Sequence, residues 1–290
     1  MTEQALSLTP SSSGAATAHR IDAVTSRIVR DELASGRPDI GFLWELCLRV
    51  EFERSMLVEG LAAWLGPPAG LRVLDSACGA GFPALDLIRR GYAITCSDGS
   101  PKMLERFRRN AARTGVAVRA HRLRWEDLSK RYASAFDVVM CRGSSLIYAG
   151  TWDREARPSR AVLARSVESL VRCVRPGGRM YLDTTRAEDL AAPSVRSRSE
   201  LVLADGARIV VWEQVETDLP RRVRSWTTVV SSRGVVHRFR RLSHYVPHDE
   251  LVELLTRAGL REVGPVEIPG ERYQVFTGVT GPADGRGPSG

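Results

Sequence analysis

Val73-Leu74-Asp75-Ser76-Ala77-Cys78-Gly79-Ala80-Gly81 is the stretch that decides the fold of this chain. An apolar strand ends there in an acidic residue, and a glycine-rich turn leads into a helix predicted over residues 82–90. Glycine lets the backbone approach a ligand closely, and the first turn of a helix presents free N–H groups. A strand, a tight turn and a helix in this order are typical of nucleotide-binding α/β folds.

A second acidic residue, Asp98, ends the next apolar run, AITCSD. An acid at that place can accept hydrogen bonds from both hydroxyls of a ribose. The full G-x-G-x-x-G pattern is absent, because Phe82 and Pro83 follow Gly79-Ala80-Gly81, and no G-x-x-x-x-G-K-[ST] occurs. These departures disfavour NAD and ATP as ligands of the turn.

The rest of the chain alternates between short apolar runs and amphipathic segments. This alternation predicts a parallel α/β sheet. The predicted helices cover residues 21–35, 42–65, 82–90, 101–114, 160–174 and 249–258, and the predicted core strands 72–75, 92–96, 116–119, 136–141, 179–184, 261–268 and 273–279. Between residues 200 and 245 the sequence is rich in β-formers instead. Asp205-Gly206 and Arg233-Gly234 fall where hairpin turns belong, so this part is predicted to be an antiparallel insertion.

The composition fits a folded protein with a basic surface. The chain has 290 residues, 42 basic and 34 acidic side chains, a formal charge of +8, and 43% hydrophobic residues. These values exclude a wholly disordered chain and a disulfide-stapled miniprotein. The five cysteines form no C-x-x-C pair, which favours a reducing, cytoplasmic location, and no apolar run is long enough to span a membrane. Residues 1–20 are predicted to be a disordered leader and 281–290 a flexible tail.

Five pieces, taken in order, resemble the class I S-adenosylmethionine-dependent methyltransferases: LDSACGAG, CSDGSPKML, RLRWEDL, FDVVMCRGSS and VRPGGRMYLD. Within that family the chain is most similar to the glycine N-methyltransferase-like group and to small-molecule N-methyltransferases that act on amino sugars. The resemblance implies a Rossmann-like, seven-stranded, mostly parallel sheet flanked by helices, with an antiparallel β insertion after strand five. The segments then become N-terminal helices over the cofactor site (21–66), a cofactor-binding core (67–195), a substrate lid (196–246) and the end of the core sheet (247–280).

The same resemblance implies S-adenosyl-L-methionine as cofactor and S-adenosyl-L-homocysteine as product. Asp75 and the backbone of Gly79–Gly81 would hold the methionine part, and Asp98 the ribose hydroxyls. Met103 and Trp125 would lie against the adenine, with Glu126 or Asp127 near its amino group. Arg54 would bind the cofactor carboxylate. The remaining cofactor-binding candidates are Ala77, Gly99, Cys141 and Arg142.

On the acceptor side, Ser144 and Tyr148 are candidates for orienting the substrate. They follow the predicted fourth strand, where this chain lacks the [DNS]-P-P-[YF] signature of enzymes that methylate base amines. Ser144, Tyr148 and His244 are the catalytic candidates. The substrate-binding candidates are Ser144, Tyr148, Arg186, Trp226, Arg240 and Tyr245. No metal-ligand cluster stands out.

Three functions stay open at this point. The favoured one is methyl transfer to nitrogen of a small molecule, since an unprotonated amine can attack without a dedicated base. O- or C-methylation, with His237 or His244 as base, is the alternative, and an RNA-modifying or nucleic-acid-binding protein is the third. Residues 102–124 carry a net +7 and residues 196–245 a net +5. A basic lid favours an acceptor that bears a carboxylate or phosphate over a long nucleic acid, and a homo-oligomer is left open.

Overall fold

The structure is a computed structural model that describes residues 18–34, 40–152 and 157–282. Its helices are α1 (Ala23–Ala34), α2 (Ile40–Glu51), α3 (Arg54–Leu65), α4 (Ala84–Arg89), α5 (Pro101–Thr114), α6 (Trp125–Tyr132), α7 (Arg160–Cys173), α8 (Ala187–Ala191) and α9 (His248–Arg257), with a 3-10 turn at Ser145–Tyr148. Its strands are β1 (Ala18–Arg20), β2 (Arg72–Asp75), β3 (Ala93–Asp98), β4 (Ala120–Arg122), β5 (Phe136–Cys141), β6 (Val174–Thr184), β7 (Ser194–Val202), β8 (Arg208–Asp218), β9 (Val223–Ser232), β10 (Val235–His244), β11 (Leu260–Val266) and β12 (Gln274–Thr280).

Seven strands form the core sheet, in the order β11-β12-β6-β5-β2-β3-β4. The pairs among β4, β3, β2, β5 and β6 are parallel, whereas β12 pairs antiparallel with both β6 and β11. The predicted fold class, a mostly parallel Rossmann-like sheet with an additional antiparallel sheet, is confirmed. Strand order reverses beside β2, and ligands of open α/β sheets bind at such a switch point, beyond the carboxyl ends of the strands.

Strand β2 is buried on both faces, as expected for the centre of a parallel sheet. Val73 and Leu74 are both fully buried, but successive strand residues point to opposite faces. Val73 joins a core cluster with residues of α3, α4 and α5, and Leu74 joins a second cluster with residues of α7 and α9. Helices therefore cover both sides of the sheet and leave the ends of its strands free to form a site.

The helix predicted over residues 42–65 is two helices. It breaks at Phe52 and Glu53, where Glu53 has extended backbone. The two halves pack on different partners: α2 contributes Phe42 and Leu46 to a cluster with the insertion, whereas α3 contributes Leu57 and Leu61 to the core. One straight helix does not serve both surfaces, which is the physical reason for the break.

The insertion is a second sheet, in the order β1-β7-β8-β9-β10. Its four long strands form an antiparallel meander. Arg233 and Gly234 join β9 to β10 and both have positive φ, 48° and 81°, as a two-residue hairpin turn of the primed type requires. The predicted turn is therefore confirmed, and so is the one at Asp205-Gly206, which joins β7 to β8.

Three local predictions were wrong. The third core strand is β4 rather than residues 116–119, because Gly115 ends α5 in a left-handed cap and Val116 then bonds back to Ala111. Strand β6 begins at residue 174 instead of 179, since residue 174 already pairs with Phe136. The leader does not extend to residue 20, because β1 pairs in parallel with β7. Helix α6 was not predicted.

Residues 1–17 of the leader and 283–290 of the tail lie outside the described residues. Within the described ranges, no helix is both long and apolar enough to cross a membrane.

Candidate functional site

One cavity opens at the carboxyl ends of β2, β3 and β5, with about 1150 Å³ of empty space when its mouth is included. The walls come from the turn after β2, the end of β3, the start of α6, the segment after β5, and α2. The lining residues are Trp44, Leu48, Phe52, Asp75, Ala77, Cys78, Gly79, Ala80, Phe82, Asp98, Gly99, Ser100, Met103, Arg124, Trp125, Glu126, Arg142, Gly143, Ser145, Tyr148, Gly150, Thr151 and Trp152.

The glycine-rich turn is held by its own backbone and by one side chain of α5. Gly79 and Gly81 have φ of 51° and 106°, which strains any other residue. A Cβ on Gly81 would lie 2.6 Å from Leu85 Cδ1, so this glycine is also required for packing. The Asn110 side chain donates to the carbonyl oxygen of Ala80 over 2.8 Å. These contacts fix the turn against α4 and α5.

Asp98 and Trp125 form a second wall. Asp98 Oδ2 accepts from the backbone N–H of Gly79 at 2.9 Å, and its Oδ1 accepts from Ser100 N at 2.8 Å. Trp125 Nε1 donates to the carbonyl oxygen of Ser76 at 2.8 Å, which fixes the plane of the indole. A carboxylate and a flat apolar surface thus face the same space.

A buried cluster of charges forms the third wall. Asp75 accepts from the backbone N–H of Ala77 at 3.2 Å, and burial raises the pKa of its carboxyl to about 6. Arg142 Nη2 donates to Glu271 Oε2 at 2.5 Å, and Tyr181 Oη donates to the same oxygen at 3.0 Å. Within the described residues, Arg142 Nε has no hydrogen-bond partner. A buried carboxylate of raised pKa favours a cationic ligand group beside it.

The loop after β5 depends on Asp183, at the end of β6. Its carboxylate accepts from the backbone N–H groups of Gly143 and Ser144 at 2.9 and 2.6 Å. Both residues have positive φ, so these bonds stabilise a strained turn. Burial, and next the Glu271 carboxylate, raise the pKa of Asp183.

Residues 73–178 match the family described as a methyltransferase domain. The cavity lies at the carboxyl ends of the strands that this match covers. The chain contains a class I S-adenosylmethionine-dependent methyltransferase domain. The match agrees with the family that the sequence predicted, whose cofactor is S-adenosylmethionine. The donor set suits that molecule, with carboxylates for ribose hydroxyls and an ammonium group, and apolar side chains for an adenine.

Relatives of this methyltransferase domain act on different atoms. The ubiquinone biosynthesis O-methyltransferase of Xanthomonas axonopodis is 32% identical over 117 residues, 40% of this chain and 44% of that protein. The glycine/sarcosine N-methyltransferase of Parasynechococcus marenigrum is 37% identical over 76 residues, 26% of this chain and 27% of that protein. Both matches span less than half of the relative's length.

The fold extends further than these sequence matches. The structure of S-adenosylmethionine-bound CalS10, an amino pentose methyltransferase from Micromonospora echinaspora, superimposes with a TM-score of 0.61. The superposition covers 82% of this chain and 96% of that one, at 18% identity. At that identity the likeness shows the fold alone.

Nine of the predicted cofactor residues line the cavity of the methyltransferase domain: Asp75, Ala77, Gly79, Asp98, Gly99, Met103, Trp125, Glu126 and Arg142. Gly81 and Cys141 support it from behind, since both are buried. Asp127 pairs with Lys130 instead, at 2.6 Å. Arg54 pairs with Asp86 at 3.4 Å and lies 3.7 Å above the Phe82 ring, so it contacts a lining residue without lining the cavity itself.

The catalytic candidates separate in the structure. Tyr148 lines the cavity, and so does Ser145, whereas the neighbouring Ser144 is buried within the loop. His244 is outside the cavity lining: its Nε2 is 3.1 Å from the carbonyl oxygen of Ala149, and burial lowers its pKa to about 4. The imidazole thus holds β10 against the segment that carries Tyr148, and the structure does not bring His244 to the cavity with the other candidates.

Of the other substrate candidates, none lines the cavity. Arg186 donates to the carbonyl oxygen of Arg272 at 2.7 Å, because it points to the far edge of the core sheet. Trp226 lies behind Tyr148, with 6.1 Å between ring centroids. Tyr245 offers its carbonyl oxygen to Arg160 at 2.7 Å, and Arg240 is exposed on the outer face of β10.

Several lining residues were not predicted. Trp44, Leu48 and Phe52 recur every four residues from α2 onward, so they share one side of the helix. That spacing is visible in the sequence. Phe42 and Leu46 also stand four residues apart, however, and they account for a buried helix face equally well. Trp152 follows Tyr148 by four residues and had no local signal.

Proposed function

We propose that this methyltransferase transfers a methyl group to a nitrogen atom of a small-molecule acceptor by in-line displacement. The bound cofactor supplies a methyl group on a positively charged sulfur. Asp98 would bind the ribose hydroxyls, and Asp75 the ammonium of the methionine part. Met103 and Trp125 would pack against the adenine and exclude water from that end. The loop of Gly143 and Ser145 would then lie beside the reacting methyl.

The observation that carries nitrogen as the acceptor atom is that the described part of the chain offers the acceptor no histidine as a base. Among the described residues, no histidine lines the cavity, and His244 is neutral, buried and engaged with Ala149. A neutral amine attacks a sulfonium methyl without a base, whereas a hydroxyl usually needs one. Proximity and orientation, which Tyr148 and the loop would provide, are then sufficient.

O- or C-methylation is the second candidate, supported by the 32% identity to an O-methyltransferase.

Nucleic acid is disfavoured as a substrate because basic residues of α5 pair with acidic residues of neighbouring helices. Arg106 is buried and pairs with Glu32 and with Glu45, the latter at 2.8 Å, so it joins α5 to α1 and α2. A homo-oligomer stays a prediction.

The experiment is methylation with cofactor that carries a ¹³C methyl group. The protein is incubated with a panel of small amines, phenols and activated carbon acids, and NMR identifies the atom that carries the label. We expect labelled N-methyl products. Labelled O-methyl or C-methyl products alone would contradict the proposal, and Tyr148→Phe should lower the rate without abolishing cofactor binding.

A further inference from the structure

Three aromatic side chains form one wall of the cavity. Trp44, Tyr148 and Trp152 all line it. The ring centroids of Trp44 and Trp152 are 5.5 Å apart and those of Tyr148 and Trp152 are 5.2 Å apart, both in edge-to-face geometry. We call these three residues the aromatic chamber. Their rings come from α2 and from the segment after β5, so the chamber exists only in the folded chain.

Arg241, on β10, holds the chamber from behind. Its guanidinium carbon lies 4.3 Å from the centre of the Trp44 ring, 5.2 Å from that of Tyr148 and 5.5 Å from that of Trp152. The side chain is 2% exposed, and its Nη2 donates to Glu213 Oε1 at 3.1 Å. The buried charge is therefore neutralised by Glu213, and cation–π contacts of this kind orient the rings.

The other arginines of the lid do not reach the chamber. Arg240 precedes Arg241 and points to the opposite face of β10, as strand alternation requires. It lines a separate surface depression together with Arg157 and Arg221. Arg224 is buried against Thr185 and the carbonyl oxygen of Asp189. Within the described residues, Arg241 is thus the lid arginine that contacts the chamber rings. The cavity lining also includes Arg124 and Arg142, and Arg142 is paired with Glu271.

We propose that the acceptor is an amine carried on a ring, whose apolar face packs against the aromatic chamber, and not an amine recognised through a carboxylate or phosphate. Flat aromatic walls bury the face of a sugar or aromatic ring and give an acyclic amine little to contact. Arg241 is a positioning residue, since it contacts the acceptor only through the rings. This inference rests on the proposed methyl transfer, and it replaces the anionic acceptor that the basic lid suggested.

The test measures the binding of four probe amines to protein saturated with S-adenosylhomocysteine. The probes are tryptamine, glucosamine, glucosamine 6-phosphate and glycine. Calorimetry should show that tryptamine and glucosamine, whose rings bear no anionic group, bind at least tenfold tighter than glycine. The phosphate should improve glucosamine binding less than twofold, with little dependence on salt. Tryptamine against glucosamine then separates an aromatic from a sugar acceptor.

Substitutions in and near the aromatic chamber test whether the probes bind there. Trp152→Ala should weaken the better ring probe about tenfold or more and leave S-adenosylhomocysteine affinity within twofold. Trp212→Ala, on β8 and outside the cavity lining, is the matched control and should change neither. Arg241→Met should weaken the ring probe more than fivefold, and Arg241→Lys should recover part of that loss. A purely structural role would instead lower the affinity for S-adenosylhomocysteine in parallel.

Opposite results have distinct meanings. If glycine or glucosamine 6-phosphate binds best, with a steep salt dependence that Arg240→Ala removes, the aromatic chamber is not the acceptor site. If S-adenosylhomocysteine binds and neither ring probe does, the inference also fails, while the proposed methyl transfer survives. If S-adenosylhomocysteine itself does not bind, the proposed function fails and this inference fails with it.

Discussion

The carboxylate of Asp98, at the end of β3, accepts a 2.9 Å hydrogen bond from the backbone N–H of Gly79, in the turn after β2. The two residues come from neighbouring strands of the core sheet, and the bond closes the rim of the cavity. Asp98 Oδ1 is likewise held, by Ser100 N. The acid is thus oriented before any ligand arrives, and preorganisation of this kind improves affinity by lowering the entropic cost of binding.

Binding of S-adenosylhomocysteine should release protons near pH 6. Burial raises the pKa of Asp75 to about 6, so its carboxyl is about half protonated at that pH. An ammonium group beside it lowers that pKa again, so about half a proton should leave on binding at pH 6 and almost none at pH 8. Calorimetry in buffers of different ionisation enthalpy measures the release.

Two controls isolate Asp75 in that experiment. 5′-Methylthioadenosine has the nucleoside without the amino acid part and should release no proton. Asp75→Asn should release none with either ligand and should bind S-adenosylhomocysteine more weakly. Equal release by both ligands would show that the proton comes from elsewhere.

Gly81→Ala should destabilise the fold more than the same change at Gly115. Both glycines have positive φ, 106° and 69°, which costs a non-glycine residue about 1–2 kcal/mol. Only at Gly81 would the new Cβ also collide, with Leu85 at 2.6 Å, whereas no atom lies within 4 Å at Gly115. Overpacking adds about 1–3 kcal/mol, so urea unfolding should show a loss of about 2–5 kcal/mol against about 1–2. Equal losses would show that Leu85 moves aside freely.

His244→Gln should remove a pH dependence of stability without removing activity. Burial lowers the folded-state pKa of His244 to about 4, below the ordinary value of about 6.5. The unfolded chain therefore binds more protons between pH 6.5 and 4, and the wild-type protein loses stability as the pH falls through that range. The loss attributable to this group is on the order of 2–3 kcal/mol.

Glutamine keeps a donor for the carbonyl oxygen of Ala149 but does not titrate. Unfolding at pH 7.5 and pH 5 should therefore show a smaller difference for the variant than for the wild type. The rate of methyl transfer between pH 6 and 9 should keep its shape. A titration near neutral pH that vanishes in the variant would instead restore His244 as a general base.

Local sequence was enough to predict that the acidic and glycine residues after β2 and β3 lie together at one cavity. Asp75 and Asp98 end apolar strands, and Gly79 and Gly81 follow at a fixed interval, so a few neighbouring residues determine where they lie. The parallel sheet could be predicted for the same reason, since each strand and helix has its own periodicity. The predicted strand boundaries were wrong where a turn sets the start of the strand, as after Gly115.

The aromatic part of the cavity lining was poorly predicted because it depends on long-range packing. Trp44 and Trp152 are 108 positions apart in sequence, yet their rings touch because α2 and β10 pack on the same loop. Strand alternation separated Arg240 from Arg241, but only the sheet's position decides which of them faces inward. His244 and Arg54 have side chains suited to catalysis or ligand binding. In the structure His244 bonds to the carbonyl oxygen of Ala149, and Arg54 pairs with Asp86.

The most direct test of cofactor binding at this site is calorimetry with S-adenosylhomocysteine on the wild-type protein and on Asp98→Asn. The variant keeps an oxygen acceptor for Gly79 but loses the charge, and hydrogen bonds to a charged group contribute about 1.5–3 kcal/mol. We predict binding to the wild type and a 10- to 100-fold weaker affinity in the variant. Asp218→Asn, on β8 and outside the lining of this cavity, should leave the affinity unchanged. No binding to the wild type, or equal affinity in Asp98→Asn, would contradict the account.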